Sequence, residues 1–181
     1  MNLEKLREQW LAEEAVAHIH GWDFSHLNGR WEDKDDLPWD YKTEVLAALR
    51  PDSRILDMDT GGGEFLLSLQ HPHHLTAAIE NYPPNVQLCQ ETLLPLGIDF
   101  RPADGNGKLP FADGSFDMVI NRHGDFNPKE IHRVLKKGGL FITQQVGAEL
   151  KDAKKNPSLG LYQEIGISYW SESDGARLAE H

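Results

Sequence analysis

The stretch that decides the fold is residues 54–67, which read Arg54-Ile55-Leu56-Asp57-Met58-Asp59-Thr60-Gly61-Gly62-Gly63-Glu64-Phe65-Leu66-Leu67. Apolar residues alternating with acids are followed by three glycines, and a short apolar helix pattern begins behind them. This order predicts a buried strand, a tight turn and a helix start. Such a turn presents backbone N–H groups and a helix N-terminus above the strand, which predicts a ligand-binding site.

Length and composition limit the classes of protein that fit the chain. Its 181 residues, 39% hydrophobic and 26% charged, suffice for one globular domain with its own core. A net charge of −11 opposes binding to phosphate backbones, so a small-molecule substrate is favoured over nucleic acid as a partner. No apolar run approaches the roughly 20 residues of a membrane span. The N-terminus predicts a charged amphipathic helix rather than a signal peptide, so we expect a soluble, cytoplasmic protein.

Strand and helix patterns alternate along the chain. Helices are predicted behind the glycine turn and at residues 3–18, 42–49, 85–94 and 128–135. Strands are predicted before that turn and at residues 75–80, 98–101, 116–121 and 140–146. This rhythm predicts an α/β fold with a doubly wound, mainly parallel sheet and helices on both faces. The single cysteine, Cys89, falls on the apolar face of its helix and is expected to be a buried thiol.

Two classes of ligand are bound by a glycine-rich turn behind the first strand of such a sheet. In both, an acid at the end of the second strand often binds ribose, and Glu80 lies at about the expected ~20 residues beyond the turn. The dinucleotide fingerprint requires three glycines in the pattern G-x-G-x-x-G. Gly61 and Gly63 match the first two, but Leu66 occupies the third place, which weakens the case for a dinucleotide.

Several segments, in the right order, resemble motifs of the class I S-adenosylmethionine-dependent methyltransferases, and within them of the group called type 11. The segments are Arg54–Phe65, Ala78–Glu80, Arg101–Gly105, Leu109–Val119 and Glu130–Leu140. The resemblance implies a Rossmann-like fold, methyltransferase activity and S-adenosylmethionine as the cofactor. It also implies that Glu80 binds the ribose hydroxyls and that Asp104 contacts the adenine amino group. The cofactor-binding residues expected on this basis are Asp57, Asp59, Thr60, Gly61, Gly63, Glu80, Asn81, Asp104, Gly105, Asn121, Arg122, Trp39 and Tyr41.

The resemblance divides the chain into three parts. Residues 1–41 are an N-terminal helix and an aromatic lid segment, residues 42–147 are the S-adenosylmethionine-binding methyltransferase core, and residues 148–181 are a short C-terminal segment. The family's sheet ends with two further strands and a helix, whereas here only residues 161–170 form a substantial apolar stretch after the core. We therefore expect incomplete C-terminal strands, either because the chain is truncated or diverged or because a partner supplies the edge. An unfinished edge favours a homodimer.

The chemistry of the predicted site agrees with this cofactor. S-adenosylmethionine has no phosphates, and carboxylates suit its ribose hydroxyls, exocyclic amine, ammonium and sulfonium. Asp57, Asp59, Glu80 and Asp104 all fall at predicted carboxyl ends of strands, where an open α/β sheet binds ligands. Each acid alone is more simply explained as a helix cap or a solvated loop residue. Four acids at consecutive strand ends favour a site.

Asp59 departs from the family pattern, which usually has glycine at that place. Its side chain either crowds the cofactor or accepts a hydrogen bond from the methionine ammonium while pressing against the methionine carboxylate. The residue is retained as an expected cofactor contact.

The loop after the fourth strand, residues 121–126, is expected beside the methyl group. It lacks the Asn/Asp-Pro-Pro-Tyr run of the amino-methylating nucleic-acid enzymes. His123 is the candidate general base, because an imidazole titrates near neutrality, and a structural histidine is an equally good interpretation. The aromatic segment 21–41 is expected either to cover the cofactor, with Trp39 and Tyr41 nearest the sulfonium, or to plug the sheet edge.

Three functional hypotheses remain open from the sequence. An enzyme that transfers a methyl group from S-adenosylmethionine to a small molecule is the leading one. A non-catalytic or degenerate cofactor-binding protein is the alternative, and a nicotinamide oxidoreductase is third. His71, His73 and His74 indicate a surface loop rather than a metal site, so no metal is expected.

Overall fold

The computed structural model describes residues 3–16, 21, 25–30, 39–146 and 165–170. The helices are α1 (Leu3–Val16), α2 (Tyr41–Ala48), α3 (Glu64–Ser68), α4 (Pro83–Thr92) and α5 (Pro128–Val134). The strands are β1 (Ile55–Met58), β2 (Thr76–Glu80), β3 (Asp99–Pro102), β4 (Phe116–Arg122), β5 (Leu135–Val146) and β6 (Ile165–Trp170). Residues 22–24 and 31–38 of the expected lid, and residues 148–164 and 171–181, lie outside the described residues.

The strands form one sheet in the order β3-β2-β1-β4-β5-β6. Strands β1 to β5 are parallel, and β6 pairs with β5 in the antiparallel direction. The order reverses at β1, because the chain first moves outward to β3 and then returns to the other side of β1. The predicted Rossmann-like, mainly parallel sheet is therefore confirmed. Of the expected C-terminal apolar stretch, β6 is the part that the structure describes.

The two faces of the sheet carry separate hydrophobic clusters. On one face, α2, α3 and α4 pack on residues such as Ile55 and Ile120. On the other face, α5 and the loop before β4 pack on residues such as Leu56 and Val119. Because successive residues of a strand point to opposite faces, continuous apolar runs are buried on both sides. Cys89 is fully buried in the first cluster, as predicted.

The boundary between α5 and β5 differs from the sequence prediction. The prediction ends the helix at Leu135 and begins the strand at Leu140, whereas Leu135 already pairs with Phe116. Leu140 then pairs with Met118, so the intervening residues bulge out of the ladder. Gly138, with φ of 74°, makes this excursion possible.

The N-terminal helix α1 also differs from the predicted amphipathic helix, because it buries no apolar face. None of the residues of α1 is buried, and Leu3 and Trp10 are 74% and 65% exposed. The few apolar positions are spread among charges and find no core contact within the described chain. None of the described helices has the length and apolar character needed to cross a membrane.

Candidate functional site

The turn between β1 and α3 follows a left-handed path. Asp59, Gly61 and Gly63 have φ values of 54°, 65° and 86°, which glycine adopts freely and aspartate tolerates better than most residues. The Thr60 N–H donates to the carbonyl of Ile79 over 3.1 Å, and this bond ties the turn to β2. The predicted tight turn at the carboxyl end of β1 is therefore present.

Asp57 lies beneath this turn rather than in its opening. The side chain is buried, and its Oδ2 accepts a hydrogen bond of 2.6 Å from the Thr60 hydroxyl. Burial raises the pKa of Asp57 to about 7, against the opposing effects of the Thr60 hydrogen bond and the charge of Arg122. Asp57 and Thr60 therefore hold the shape of the turn from below.

Glu80 joins the glycine turn to the second strand. Its Oε2 accepts from the Gly61 N–H at 2.9 Å and from Asn85 Nδ2 at 3.5 Å. Its Oε1 accepts from the N–H groups of Asn81 and Tyr82 at 2.8 and 2.9 Å. The carboxylate is buried, and these donors satisfy its charge. The acid therefore stands at the junction of the turn, β2 and the start of α4.

A cavity of about 280 Å³ opens at the carboxyl ends of β1, β2 and β4. Its lining residues are Gly21, Asp59, Gly61, Glu80, Asn81, Asn85, Arg122, His123 and Gly124. Ligands of open α/β sheets bind at this edge, where the strand order reverses. The volume lies just below the roughly 300–1,000 Å³ that is typical of small-molecule sites.

Three of the lining residues, Gly21, Asn85 and Gly124, were not named as contacts from the sequence, although Gly21 and Gly124 lie in segments that were expected near the cofactor. Asn85 is buried on the first turns of α4, where it approaches Glu80 and accepts a 2.7 Å hydrogen bond from the Gly21 N–H. That bond brings the N-terminal segment to the cavity wall. Gly124 lies in the loop after β4. A buried polar residue on a helix that follows an acidic strand end is the signal that could have identified Asn85.

The Asp59 carboxylate lies between the ends of β1, β3 and β4. Its Oδ2 accepts from Asn121 Nδ2 at 3.3 Å. A Cβ atom added to Gly124 would overlap this carboxylate, and one added to Gly105 would lie 3.3 Å from Oδ2. Burial and the nearby carboxylates of Glu80 and Asp104 raise the pKa of Asp59 to about 6.

A polar network between β4 and β5 supports the loop that carries His123. Asn121 Oδ1 accepts from the Thr143 hydroxyl at 3.2 Å and from Gln145 Nε2 at 2.6 Å. Gln145 Nε2 also donates to the carbonyl of Gly124 at 3.0 Å. Asn121 therefore lies behind the cavity wall and links Asp59 to Gln145 by hydrogen bonds.

His123 lines the cavity in a left-handed conformation with φ of 66°. Its N–H donates to the carbonyl of Gln144 over 2.9 Å, which fixes the backbone. Partial burial and the charge of Arg122 lower the pKa of the imidazole below its usual value. The ring is therefore mostly neutral at pH 7 and can accept a proton.

The two aromatic residues expected near the sulfonium lie elsewhere. The Tyr41 hydroxyl donates to the carbonyls of Asn121 and Ile142 at 3.1 and 3.2 Å, and the side chain is buried in the core. Trp39 packs against the same cluster. Neither residue is among those that line the cavity, and both pack on the hydrophobic cluster of the sheet face that carries α2. They support the sheet beneath the site.

The remaining predicted residues surround the cavity without lining it. Gly63 precedes α3 as its N-cap residue, and the exposed Asp104 and the buried Gly105 follow β3 on the side of Asp59. Asp104 accepts from the Asn106 N–H at 2.9 Å, and its charge acts on Asp59. Asp104 and Gly105 thus follow the carboxyl end of β3, as the sequence predicts.

The histidine run does not form a metal site in the described part of the chain. His71 is buried with Nε2 2.7 Å from the carbonyl of Ser53, whereas His73 and His74 are exposed. Among the described residues, no group of three or more His, Cys, Asp or Glu side chains could hold a metal ion.

Comparison with known proteins shows which domains this chain is similar to. Residues 56–143, just under half of the chain, match the family model described as "Methyltransferase domain". Together with the parallel sheet and the glycine turn, this match makes residues 56–143 similar to the class I S-adenosylmethionine-dependent methyltransferases.

The individual relatives share only part of their length with the chain. The demethylmenaquinone methyltransferase of Thermus thermophilus is 30% identical over 117 residues, which cover 59% of this chain and 53% of that protein. The probable phthiotriol/phenolphthiotriol dimycocerosates methyltransferase 2 of Mycobacterium ulcerans is 34% identical over 98 residues, which cover 49% and 37%. The chain thus spans about half of the first relative and less of the second.

A solved structure confirms the fold independently. The YcgJ protein from Bacillus subtilis superposes with a TM-score of 0.51 at 23% identity, over 60% of this chain and 51% of that one. At this level of identity the likeness concerns the fold alone.

Proposed function

We propose that the chain binds S-adenosylmethionine in the cavity at the carboxyl ends of β1, β2 and β4, and transfers its methyl group to a small-molecule acceptor. One observation carries the proposal: the glycine turn at Gly61 and the acid Glu80 line the same cavity at the point where the strand order reverses. A glycine turn with a neighbouring acid suits the hydroxyls of a nucleoside that has no phosphates.

The residues of the cavity fit the parts of this cofactor. Glu80 is in place for the ribose, although four protein donors already surround its carboxylate. The contact with Asn85 is the longest of them at 3.5 Å, and a ribose hydroxyl replaces it at the least cost. Asp104, which follows β3 outside the cavity lining, is the proposed partner of the adenine amino group. The region between Asp59 and Arg122 remains for the methionine part.

Catalysis on this proposal depends mainly on orientation. Bound S-adenosylmethionine supplies an already activated methyl group, and transfer is an in-line displacement that positioning and exclusion of water can accelerate. His123 lies in the same cavity and is mostly neutral near pH 7, so it accepts the proton that an oxygen or nitrogen acceptor loses.

Two observations support a small molecule as the acceptor. The curated relatives are named for methyl transfer to demethylmenaquinone and to phthiotriol and phenolphthiotriol dimycocerosates. The net charge of −11 also disfavours a nucleic-acid substrate.

Three further predictions concern the chain as a whole: the division at residues 42–147, the cytoplasmic location and the homodimer. Sedimentation velocity tests the homodimer.

The test uses cofactor labelled in its methyl group, incubated with the protein and a pool of metabolites. We expect label in an extracted product, and its loss in Glu80→Gln, which removes the charge at the ribose position. Glu91→Gln is the matched control, because Glu91 is an exposed acid of α4 whose side chain bonds only to Gln87 in the described contacts. Binding of the cofactor without any labelled product would refute the methyltransferase activity.

The alternative function is a cofactor-binding protein without catalysis. It is favoured by Asp59, whose carboxylate stands where the family usually has glycine, and by the fully bonded carboxylate of Glu80. Tight retention of cofactor without product in the same experiment would support it.

A further inference from the structure

Asp59 lies in the cavity lining where the family usually has glycine, and its carboxylate occupies a defined place in the wall. We propose that Asp59 determines ligand specificity by the charge of the ligand's tail: it favours adenosyl sulfonium compounds whose tail carries an ammonium group but no carboxylate over S-adenosylmethionine. The inference rests on the proposed function, since it assumes an adenosyl ligand in this cavity, and it adds which tail the site selects.

The order of the strands places Asp59 beside the tail. In the sheet order β3-β2-β1-β4, Asp104 follows β3, Glu80 ends β2 and Asp59 follows β1. A ligand with adenine near Asp104 and ribose near Glu80 continues toward β1 and β4. Asp59 reaches toward β4, because its Oδ2 accepts from Asn121 Nδ2 at 3.3 Å. The tail of the ligand therefore passes over the Asp59 carboxylate.

The carboxylate of Asp59 has little freedom to move away from a ligand. Asn121 holds Oδ2, and Gly124 lies so close that a Cβ atom there would overlap the carboxylate, while Gly105 packs near Oδ2 on another side. Asn121 is itself held by Thr143 and Gln145 of β5. A tail carboxylate would thus meet a fixed like charge, whereas a tail ammonium would meet a fixed hydrogen-bond acceptor.

The nearby charges reinforce the selection. The carboxylates whose charges act on Asp59 are those of Glu80, Asp104 and Asp125, so its surroundings are acidic. Arg122 is the cationic residue of the cavity lining; its guanidinium lies over the Phe65 ring at 5.0 Å, and its charge acts on Asp57. The side of the cavity nearest Asp59 therefore attracts cations and repels anions.

The experiment measures binding by calorimetry at pH 8 with three ligands. They are S-adenosylmethionine, decarboxylated S-adenosylmethionine and 5′-methylthioadenosine, whose short tail carries no charge. We expect the wild-type protein to bind the decarboxylated compound at least ten-fold more tightly than S-adenosylmethionine. Asp59→Asn should bring this ratio close to one and leave the affinity for 5′-methylthioadenosine within about two-fold.

Matched variants keep the test decisive. Asp52→Asn removes one charge from a side chain that is 87% exposed, and it should leave the ratio unchanged. If Asp59→Asn does not fold, Asp59→Gly replaces it, because glycine accepts the left-handed conformation at this position.

The outcomes separate the two claims. A wild-type protein that binds S-adenosylmethionine as tightly as the decarboxylated compound, or an unchanged ratio in Asp59→Asn, overturns the inference while the proposed function stands. Absence of heat with all three ligands overturns the proposed function, and the inference with it.

Discussion

At the scale of single residues, Asp59 combines a left-handed backbone with a partly buried charge. Its pKa of about 6 in the folded protein lies above the ordinary value of 3.8, so the folded state disfavours the carboxylate. The carboxylate therefore adds no cost below pH 3.8 and destabilises the fold increasingly as the pH rises to 6, after which the cost is constant. The fold thus carries an electrostatic cost at neutral pH, which a role of Asp59 in ligand binding would explain.

Asp59→Asn is therefore expected to stabilise the protein in a pH-dependent manner. The gain in the free energy of unfolding should be about 1 kcal/mol larger at pH 8 than at pH 4.5, after allowance for partial exposure. Urea denaturation at both pH values measures the difference. Asp52→Asn, at an exposed site, should show no such dependence. An equal effect of Asp59→Asn at both pH values would contradict the raised pKa.

His123 is expected to contribute to the chemical step rather than to cofactor binding. His123→Asn keeps the left-handed backbone, which asparagine tolerates, and removes the imidazole. We expect kcat to fall about 10²-fold, with KM for S-adenosylmethionine changed less than three-fold. Steady-state kinetics with an identified acceptor provide the measurement. His74→Asn is the control, because His74 is an exposed histidine in the run before β2. If His123→Asn has a kcat within two-fold of wild type, His123 is not the base.

At the scale of elements, the glycine turn packs against the end of α4. Gly63 has φ of 86°, and a Cβ added to it would lie 2.7 Å from Leu93 Cδ2. Gly97 has a similar φ of 82°, but a Cβ there would meet nothing within 4 Å. The two glycines thus share a backbone conformation and differ in their surroundings.

Alanine at these two positions separates backbone strain from packing. Gly97→Ala should lower the free energy of unfolding by about 1–2 kcal/mol, the cost of the left-handed conformation. Gly63→Ala should cost about 1–3 kcal/mol more, because Leu93 must move. Denaturant unfolding of both variants gives the comparison. Equal losses would show that the turn does not pack tightly on Leu93.

The strands and the glycine turn could be predicted because their signals are local. Buried parallel strands appear as short apolar runs, and the turn after β1 appears as a run of glycines. The start of β5 could not be predicted, because Leu135 joins the sheet through its pairing with Phe116 and not through a pattern of its own. The exposure of α1 could not be predicted either, because burial of a helix depends on its contacts with other elements and its own sequence does not show them.

The candidate site was predictable to a similar extent. Glu80 and Gly61 follow from motifs within one strand and one turn. Asn85, Gly124 and Gln145 reach the site only when separate elements meet, so their sequence neighbourhoods carry little signal. Tyr41 shows the opposite case: the sequence predicts a ligand contact, whereas in the structure its hydroxyl donates to two carbonyls of the sheet.

At the scale of the whole molecule, the site lies above a sheet whose two faces are both covered. The cluster beneath the glycine turn includes Leu66, Cys89 and Leu93, so the turn rests on the same side chains that hold α3 and α4 on the sheet. Stability of the core and shape of the site are therefore linked. A ligand that orders the turn should stabilise the entire domain, because it binds the folded state alone.

Cys89 makes this linkage measurable. The side chain is fully buried, its Sγ donates to the Gly61 carbonyl at 3.0 Å, and burial raises the pKa of the thiol to about 12. A thiol reagent should therefore react only after the domain opens. S-adenosylmethionine at 100 times its Kd should slow labelling about 100-fold, which corresponds to ~2.7 kcal/mol of added stability.

The control for this measurement combines Cys89→Ala with Glu91→Cys, which presents an exposed thiol on α4. Labelling of this thiol should not respond to the ligand. If Cys89 reacts as fast with ligand as without it, either the thiol is reached without opening of the turn or the cofactor does not bind there.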